Sequence, residues 1–98
     1  MSISIKQLKA YVAVVEENSF SLAAERLNAT QSGMSMLVQN LELSIGKKLI
    51  NRAPGKMLLT DSGKKFYNDS LEILSLMEKA VIDAKTDTKE ISGVCNCG

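Results

Sequence analysis

Apolar residues recur at helical spacing in several separate stretches of the chain. The first stretch is predicted to form an amphipathic helix that buries Leu8, Tyr11, Val12 and Val15, which follow an i, i+3, i+4, i+7 pattern. Ser4, with Gln7 three residues later, is the sequence signature of a capping box at the start of this helix.

Two shorter helices are predicted to follow. The second runs from about Phe20 to Leu27, and residues 28 and 29 form a very short turn after it. Thr30 is a favourable N-cap for the third helix, and Gly46 is a favourable C-cap. The predicted apolar face of the third helix consists of Met34, Val38, Leu41 and Ile45, with Leu37 beside it.

The pattern changes between Gly46 and Thr60. Short apolar runs on either side of Pro54 and Gly55 predict two short strands, or extended arms, that are joined by a turn. Thr60 then caps a fourth helix, which is predicted to be long because the chain has neither Gly nor Pro from residue 64 to residue 90. Its apolar stripe is too wide to pack only on a 60-residue domain. We therefore expect it to pair with a second copy, the alternative being a helix that packs on its own domain alone.

These elements predict an all-α fold, a winged helix-turn-helix with a small two-stranded β-arm and a long C-terminal helix. The predicted DNA-binding domain spans residues 3–60, with the helix-turn-helix at about 20–39 and the wing at about 47–59. The long helix spans residues 61–90, and residues 91–98 form a tail. This arrangement suits DNA because the second helix of the pair fits a major groove about 12 Å wide while the arm reaches the backbone.

Charge and composition narrow the possible functions. The formal net charge is only +1, but residues 1–60 carry seven Lys and Arg against four Glu, whereas residues 61–98 carry five Lys against seven acidic residues.

Neither a secretory signal nor an apolar run of membrane-spanning length is present, so we expect a cytoplasmic protein with no membrane partner. The chain has no His and no Gly-rich phosphate loop, which argues against an enzyme and predicts no cofactor. Cys95 and Cys97 could form half of a metal site, but the chain has no second ligand pair, so no metal is predicted.

Four strings in register resemble the LysR family of bacterial transcriptional regulators. FSLAAERL at residues 20–27 is similar to that family's F-x-x-A-A-x-x-L, and residues 30–46 match its [ST]-Q-x-x-x-S-x-x-[IV]-x-x-L-E-x-x-[LI]-G. LINR at 49–52 and LTDSG at 59–63 resemble its L-F-x-R and L-T-x-x-G. The resemblance implies a dimeric, DNA-binding regulator of transcription. It also implies that the chain stops where the effector-binding domain would begin, so a small-molecule inducer is expected only if that domain is present.

The resemblance also implies which residues meet DNA, and the apolar pattern of the long helix indicates which meet a second subunit. The residues expected to contact bases are Gln31, Ser32, Ser35, Met36 and Gln39. Those expected to contact phosphates are Ser21, Thr30, Arg52 and Lys56. Those expected in the dimer seam of the long helix, which is the family's linker helix, are Phe66, Ile73, Leu74, Met77 and Val81.

Several of these assignments have structural alternatives. Gln31 and Ser35 could be polar positions that only face solvent, and Met36 could tuck against the first helix or a neighbouring molecule. Arg52 could tie the arm to the helices through an ion pair instead of contacting phosphate. Lys47 and Lys48 are expected to complement the dipole at the end of the third helix.

The third helix departs from the family pattern in its charge. Ser32, Met36, Gln39 and Asn40 stand where the family often has Pro or basic residues, and Gly55 replaces a frequent Arg. Fewer cations release fewer counterions, so sequence-independent binding is expected to be weaker.

We expect a homodimer, or a higher oligomer in a full-length protein, on a roughly palindromic double-stranded DNA site. The alternative is a truncated module that pairs with full-length relatives and blocks their DNA binding.

Overall fold

Four helices and one two-stranded sheet make up the part of the chain that the computed structural model describes, residues 3–53 and 56–86, with side chains at all of these except Ala53 and Lys56. The elements, in chain order, are α1 (Ile5–Glu17), α2 (Phe20–Arg26), α3 (Gln31–Ile45), β1 (Ile50–Ala53), β2 (Lys56–Leu59) and α4 (Asp61–Thr86). The predicted all-α winged helix-turn-helix with a small β-arm is confirmed. The turn at residues 54–55 and residues 87–98, which include Cys95 and Cys97, lie outside the described residues.

The ends of the helices follow from local sequence. At the start of α1, the Ser4 hydroxyl accepts a hydrogen bond from the Gln7 N–H at 3.3 Å, while Gln7 Oε1 accepts from the Ser4 N–H at 3.0 Å. The predicted capping box is therefore confirmed. Thr30 Oγ1 caps α3 by accepting from the Gly33 N–H at 2.9 Å. Gly46 ends α3 at a φ of 82°, in the left-handed region that glycine favours.

The core surrounds α1, which packs against α2, α3 and α4. Its largest fully buried apolar side chains are Tyr11, Val14, Met34, Leu41 and Leu49. Because three helices enclose α1, burial extends beyond the predicted face, and Val14 is more deeply buried than Val15. Leu37 is partly buried against this cluster, as predicted.

The wing, which consists of β1 and β2, is an antiparallel hairpin. Ile50 pairs with Leu59 at its base, and Ala53 pairs with Lys56 near its tip. Ile50 is buried in the core, whereas Arg52 is exposed on the same strand. The hairpin is therefore anchored in the core at its base, and β1 is exposed at Asn51 and Arg52.

Glu16 connects α1 to two other helices. Its carboxylate lies 2.9 Å from Arg26 Nη1 of α2, and it accepts a hydrogen bond at 2.9 Å from the Tyr67 hydroxyl of α4. The hydrogen bonds from Arg26 and Tyr67 hold the pKa of Glu16 below its usual value. The group is partly exposed, so these bonds contribute more to orientation than to stability.

The first turn of α4 is packed directly against the backbone that precedes the wing. Thr60 Oγ1 donates to the Lys48 carbonyl at 2.7 Å and accepts from the Gly63 N–H at 2.9 Å. The buried Tyr11 hydroxyl donates to the Gly63 carbonyl at 2.7 Å. A Cβ on Gly63 would overlap the backbone carbonyl of Leu49, so glycine is required by the close approach.

Only the first part of α4 packs on the domain. Phe66 was predicted to lie in a dimer seam, and the structure places its ring centroid 5.7 Å from that of Tyr11, half-buried against the domain's own core; its part in a seam stays a prediction. Farther along the helix, Ile73 and Val81 remain 44% and 47% exposed. Across the described residues, no helix is long and apolar enough to cross a membrane.

Gly63→Ala is expected to lower the free energy of unfolding by about 2–4 kcal/mol, because its methyl group can be accommodated only by shifting backbone. Lys64→Ala, at the next and exposed position, is the control and should change stability by less than about 0.5 kcal/mol. Urea unfolding followed by circular dichroism measures both. Equal stability of the two variants would contradict the close approach at Gly63.

Candidate nucleic-acid interface

One side of α3 faces away from the core and carries the residues predicted to contact bases. We call this set the recognition face; its members are Gln31, Ser32, Ser35, Met36 and Gln39. All are exposed except Ser35, which is half-buried. Met36 is 58% exposed, whereas Met34, two residues earlier and about 200° around the helix, is fully buried. The alternative that Met36 tucks against α1 is therefore excluded.

Gln31 contacts the helix that precedes it. The Ser21 hydroxyl of α2 donates a hydrogen bond to Gln31 Oε1 at 3.0 Å, and both side chains are exposed. Ser21 was predicted to contact phosphate, and the structure places its hydroxyl beside Gln31, at the edge of the recognition face; the phosphate contact stays a prediction. Thr30, another predicted phosphate contact, lies beside them at the N-terminus of α3.

Arg52 is bound to the recognition face from the side of the wing. Its Nη2 donates to Ser35 Oγ at 2.9 Å, and its guanidinium carbon lies 4.0 Å from the centre of the Phe20 ring. Arg52 therefore links the arm to the helices through a hydrogen bond and a cation–π contact, which differ from the ion pair considered as the alternative, and its phosphate contact stays a prediction. Lys56, the other predicted phosphate contact of the wing, has its side chain outside the described residues.

Glu42 joins α3 to the start of the wing. One of its carboxylate oxygens, Oε2, accepts from the N–H of Leu49 at 2.8 Å and from the N–H of Ile50 at 3.1 Å. Lys48 Nζ lies 4.0 Å from the other oxygen, so Lys48 faces this carboxylate; its expected role at the dipole of α3 stays a prediction. Glu42 was given no role from the sequence. A single acidic residue on the polar side of a helix does not indicate that its carboxylate will accept hydrogen bonds from backbone N–H groups seven and eight residues away.

The recognition face is uncharged. Glu42 is the only charged residue between positions 31 and 45, and its carboxylate is engaged by backbone N–H groups. The face therefore offers amide and hydroxyl groups, which can form hydrogen bonds with base edges, and one apolar side chain. Within residues 3–53 and 56–86, His, Cys, Asp and Glu form no group of three that could hold a metal ion, and Cys95 and Cys97 lie outside these ranges.

Residues 5–64 match the family model of the bacterial regulatory helix-turn-helix proteins of the lysR family. The curated relatives include YnfL of Escherichia coli K12, an uncharacterised HTH-type transcriptional regulator. It is 42% identical over 85 residues, which are 87% of this chain and 29% of that protein. BenM of Acinetobacter baylyi, an HTH-type transcriptional regulator, is 35% identical over 94% of this chain and 29% of its own length. The chain thus spans less than a third of either relative.

Solved structures with the same fold include DNA complexes. The DNA-binding domain of BenM in complex with benA site 1 DNA superposes with a TM-score of 0.86 at 33% identity, over 90% of this chain and 99% of that one. The DNA-binding domain of CbnR in complex with DNA gives a TM-score of 0.83 at 29% identity, over 88% of this chain and 99% of that one.

Glu42→Ala is expected to lower the free energy of unfolding by about 2–4 kcal/mol, because two backbone N–H groups at the base of the wing lose a charged acceptor. Glu42→Gln retains an acceptor oxygen and should fall between the wild type and Glu42→Ala. Glu25→Ala, at an exposed position of α2, controls for loss of a carboxylate. Chemical denaturation measures the stability of all three variants. A loss of stability in Glu42→Ala no larger than that in Glu25→Ala would contradict the stabilising role of the Glu42 bonds at the base of the wing.

Proposed function

The chain belongs to the lysR family of bacterial regulatory helix-turn-helix proteins, and from this we propose that it binds double-stranded DNA with α3 in the major groove and regulates transcription. The observation that carries the proposal is its close structural similarity to domains solved on DNA. The comparisons give no support to the alternative of a module that only blocks its relatives. No catalytic step is part of the proposed function, and its place of action is the cytoplasm, where bacterial DNA lies.

The recognition face supplies the proposed base contacts. The amides of Gln31 and Gln39 can bond adenine through its N6 and N7, and the hydroxyls of Ser32 and Ser35 can donate or accept. Met36 can pack against a thymine methyl group, since it is apolar, flexible and exposed. The face has no arginine, whose guanidinium forms the commonest specific contact with guanine, so we expect preference for A·T pairs at the contacted positions.

Backbone contacts are proposed to come from the edges of this face. Thr30 lies at the N-terminus of α3, where free N–H groups and the helix dipole favour phosphate. Arg52 and Lys56 are on the two strands of the wing, beside the helix-turn-helix. Arg52 has five N–H donors, so its bond to Ser35 leaves others for a phosphate.

Selection of bound duplexes from a random pool tests the function, and we expect the wild type to enrich a roughly palindromic, A·T-containing site. Met36→Glu should weaken binding to that site by about tenfold or more, because a carboxylate on the recognition face repels phosphates. Ser75→Glu makes the same change of charge on the exposed surface of α4 and should leave affinity within about twofold. No enrichment of any sequence by the wild type at low salt would refute the proposal.

We also propose that the part of α4 beyond the domain pairs with a second copy. The dimer seam defined by Ile73, Leu74, Met77 and Val81 continues the helix face that packs on the core at Phe66. Its residues are exposed or half-buried in the single chain. Leu76 and Ile82, which were not assigned from the sequence, are also exposed, at 66% and 58%, but they lie outside the seam, and Ile82 is on the same side of the helix as Ser75. Covering the seam in a symmetric dimer would remove apolar surface from water and place two copies of α3 on one duplex.

Ile73→Glu is expected to convert the protein from dimer to monomer, since a carboxylate in an apolar seam is costly to bury. Ser75→Glu is the matched control, because two residues along the helix is a rotation of about 200° and takes the charge out of the seam. Sedimentation equilibrium gives the mass of both variants and of the wild type. A wild type that is already monomeric, or an Ile73→Glu variant that remains dimeric, would contradict the seam.

A further inference from the structure

The hydrogen bond between Ser21 and Gln31 joins two residues that are ten positions apart in the sequence. Ser21 is the second residue of α2, and Gln31 is the first residue of α3. The 3.0 Å bond from the Ser21 hydroxyl to Gln31 Oε1 therefore crosses the turn of the helix-turn-helix at the exposed end of the recognition face.

In the structure, the Oε1 end of the Gln31 amide lies beside α2. A glutamine amide carries an acceptor oxygen and a donor NH2 group at nearly equivalent positions, so an unbound amide can present either end to a base. The Ser21 hydroxyl, which can donate or accept, here donates to Oε1 and holds that end of the amide against α2. Both hydrogens of Nε2 and one lone pair of Oε1 then remain for DNA, which is the set that adenine N7 and N6–H require.

The same bond uses the hydroxyl proton of Ser21. A serine hydroxyl has one proton, and phosphate oxygens are acceptors, so a contact between this hydroxyl and phosphate would need the proton that Ser21 gives to Gln31. Arg52 shows a comparable arrangement on the other side of the face, where its guanidinium donates to the Ser35 hydroxyl. The side chains next to the recognition face thus orient polar groups within it.

We propose that Ser21 is a positioning residue that fixes the amide of Gln31 and so sets the base preference at the pair that Gln31 contacts. The proposal rests on the proposed DNA-binding function. It assigns Ser21 to sequence discrimination, where the family resemblance implied a backbone contact.

The test compares Ser21→Ala, Ser21→Thr, Gln31→Ala and the double variant Ser21→Ala/Gln31→Ala in the full 98-residue chain. Affinities are measured for the selected duplex, for duplexes with each substitution at every position of one half-site, and for an unrelated duplex, over a range of salt concentrations. The base pair at which Gln31→Ala loses discrimination is the one that Gln31 contacts. If the wild type binds no duplex, the proposed function fails before Ser21 is tested.

We expect Ser21→Ala to reduce discrimination at that base pair by about fivefold, while affinity for the unrelated duplex and the salt dependence stay unchanged. Ser21→Thr retains the hydroxyl and should restore discrimination. In the Gln31→Ala background, Ser21→Ala should have no further effect, because its only route to the base is absent.

Three results would overturn the proposal while leaving DNA binding intact. The first is an equal loss of affinity for all duplexes with a shallower salt dependence, which identifies a phosphate contact. The second is an additive loss in the double variant, which means that Ser21 acts without Gln31. The third is a Ser21→Thr variant that behaves like Ser21→Ala, which means that the hydroxyl is not the active group.

Discussion

The close approach of α4 to the backbone at Leu49 is the constraint on which the rest of the molecule depends. Gly63 has no side chain, so the first turn of α4 can lie against the Leu49 carbonyl while its own carbonyl accepts from Tyr11. Burial, with a smaller contribution from the charge of Glu42, raises the pKa of Tyr11 above its ordinary value, so its hydroxyl remains a donor. The direction of α4 is thereby fixed relative to α1. The orientation of any partner that packs on the far end of α4 is therefore set by the direction of this helix.

The segment from Lys48 to Ile50 is held from two sides. Thr60 binds the Lys48 carbonyl from the start of α4, and Glu42 binds the N–H groups of Leu49 and Ile50 from α3. Each of these bonds joins a side chain to backbone atoms at the base of the wing. They link the wing to both α3 and the start of α4, which suits a domain that positions hydrogen-bonding groups against bases.

The sequence was sufficient to predict the features that depend on local interactions. The capping box at Ser4, the cap at Thr30 and the left-handed Gly46 each involve residues within four positions of one another, and helical periodicity gave the core face of α3. Contacts between distant residues could not be obtained in this way. Periodicity placed Phe66 on an apolar face, but whether that face meets Tyr11 or another subunit depends on the angle between two helices.

Other features of the candidate site were missed for the same reason. The sequence assigned Ser21 by its place at a helix terminus, whereas its partner Gln31 is ten residues away and is reached only after the two helices pack. Arg52 could be assigned to the wing from its position, but its contact with Ser35 spans seventeen residues. Motif similarity predicted where the interface lies, and the three-dimensional contacts were needed to determine which donors and acceptors each residue has available.

An uncharged recognition face lowers the affinity for DNA of any sequence and makes binding depend more on specific contacts. Attraction to phosphates is independent of sequence, so a surface with few cations binds non-specific DNA weakly. Discrimination must then come from a small number of hydrogen bonds and apolar contacts, each of which is effective only if the side chain is already in place. The bonds from Ser21 to Gln31 and from Arg52 to Ser35 hold polar groups of this face in position in the DNA-free chain. On the proposed function, this preorganisation would lower the entropy lost on binding and so compensate for the charge that more basic helices supply.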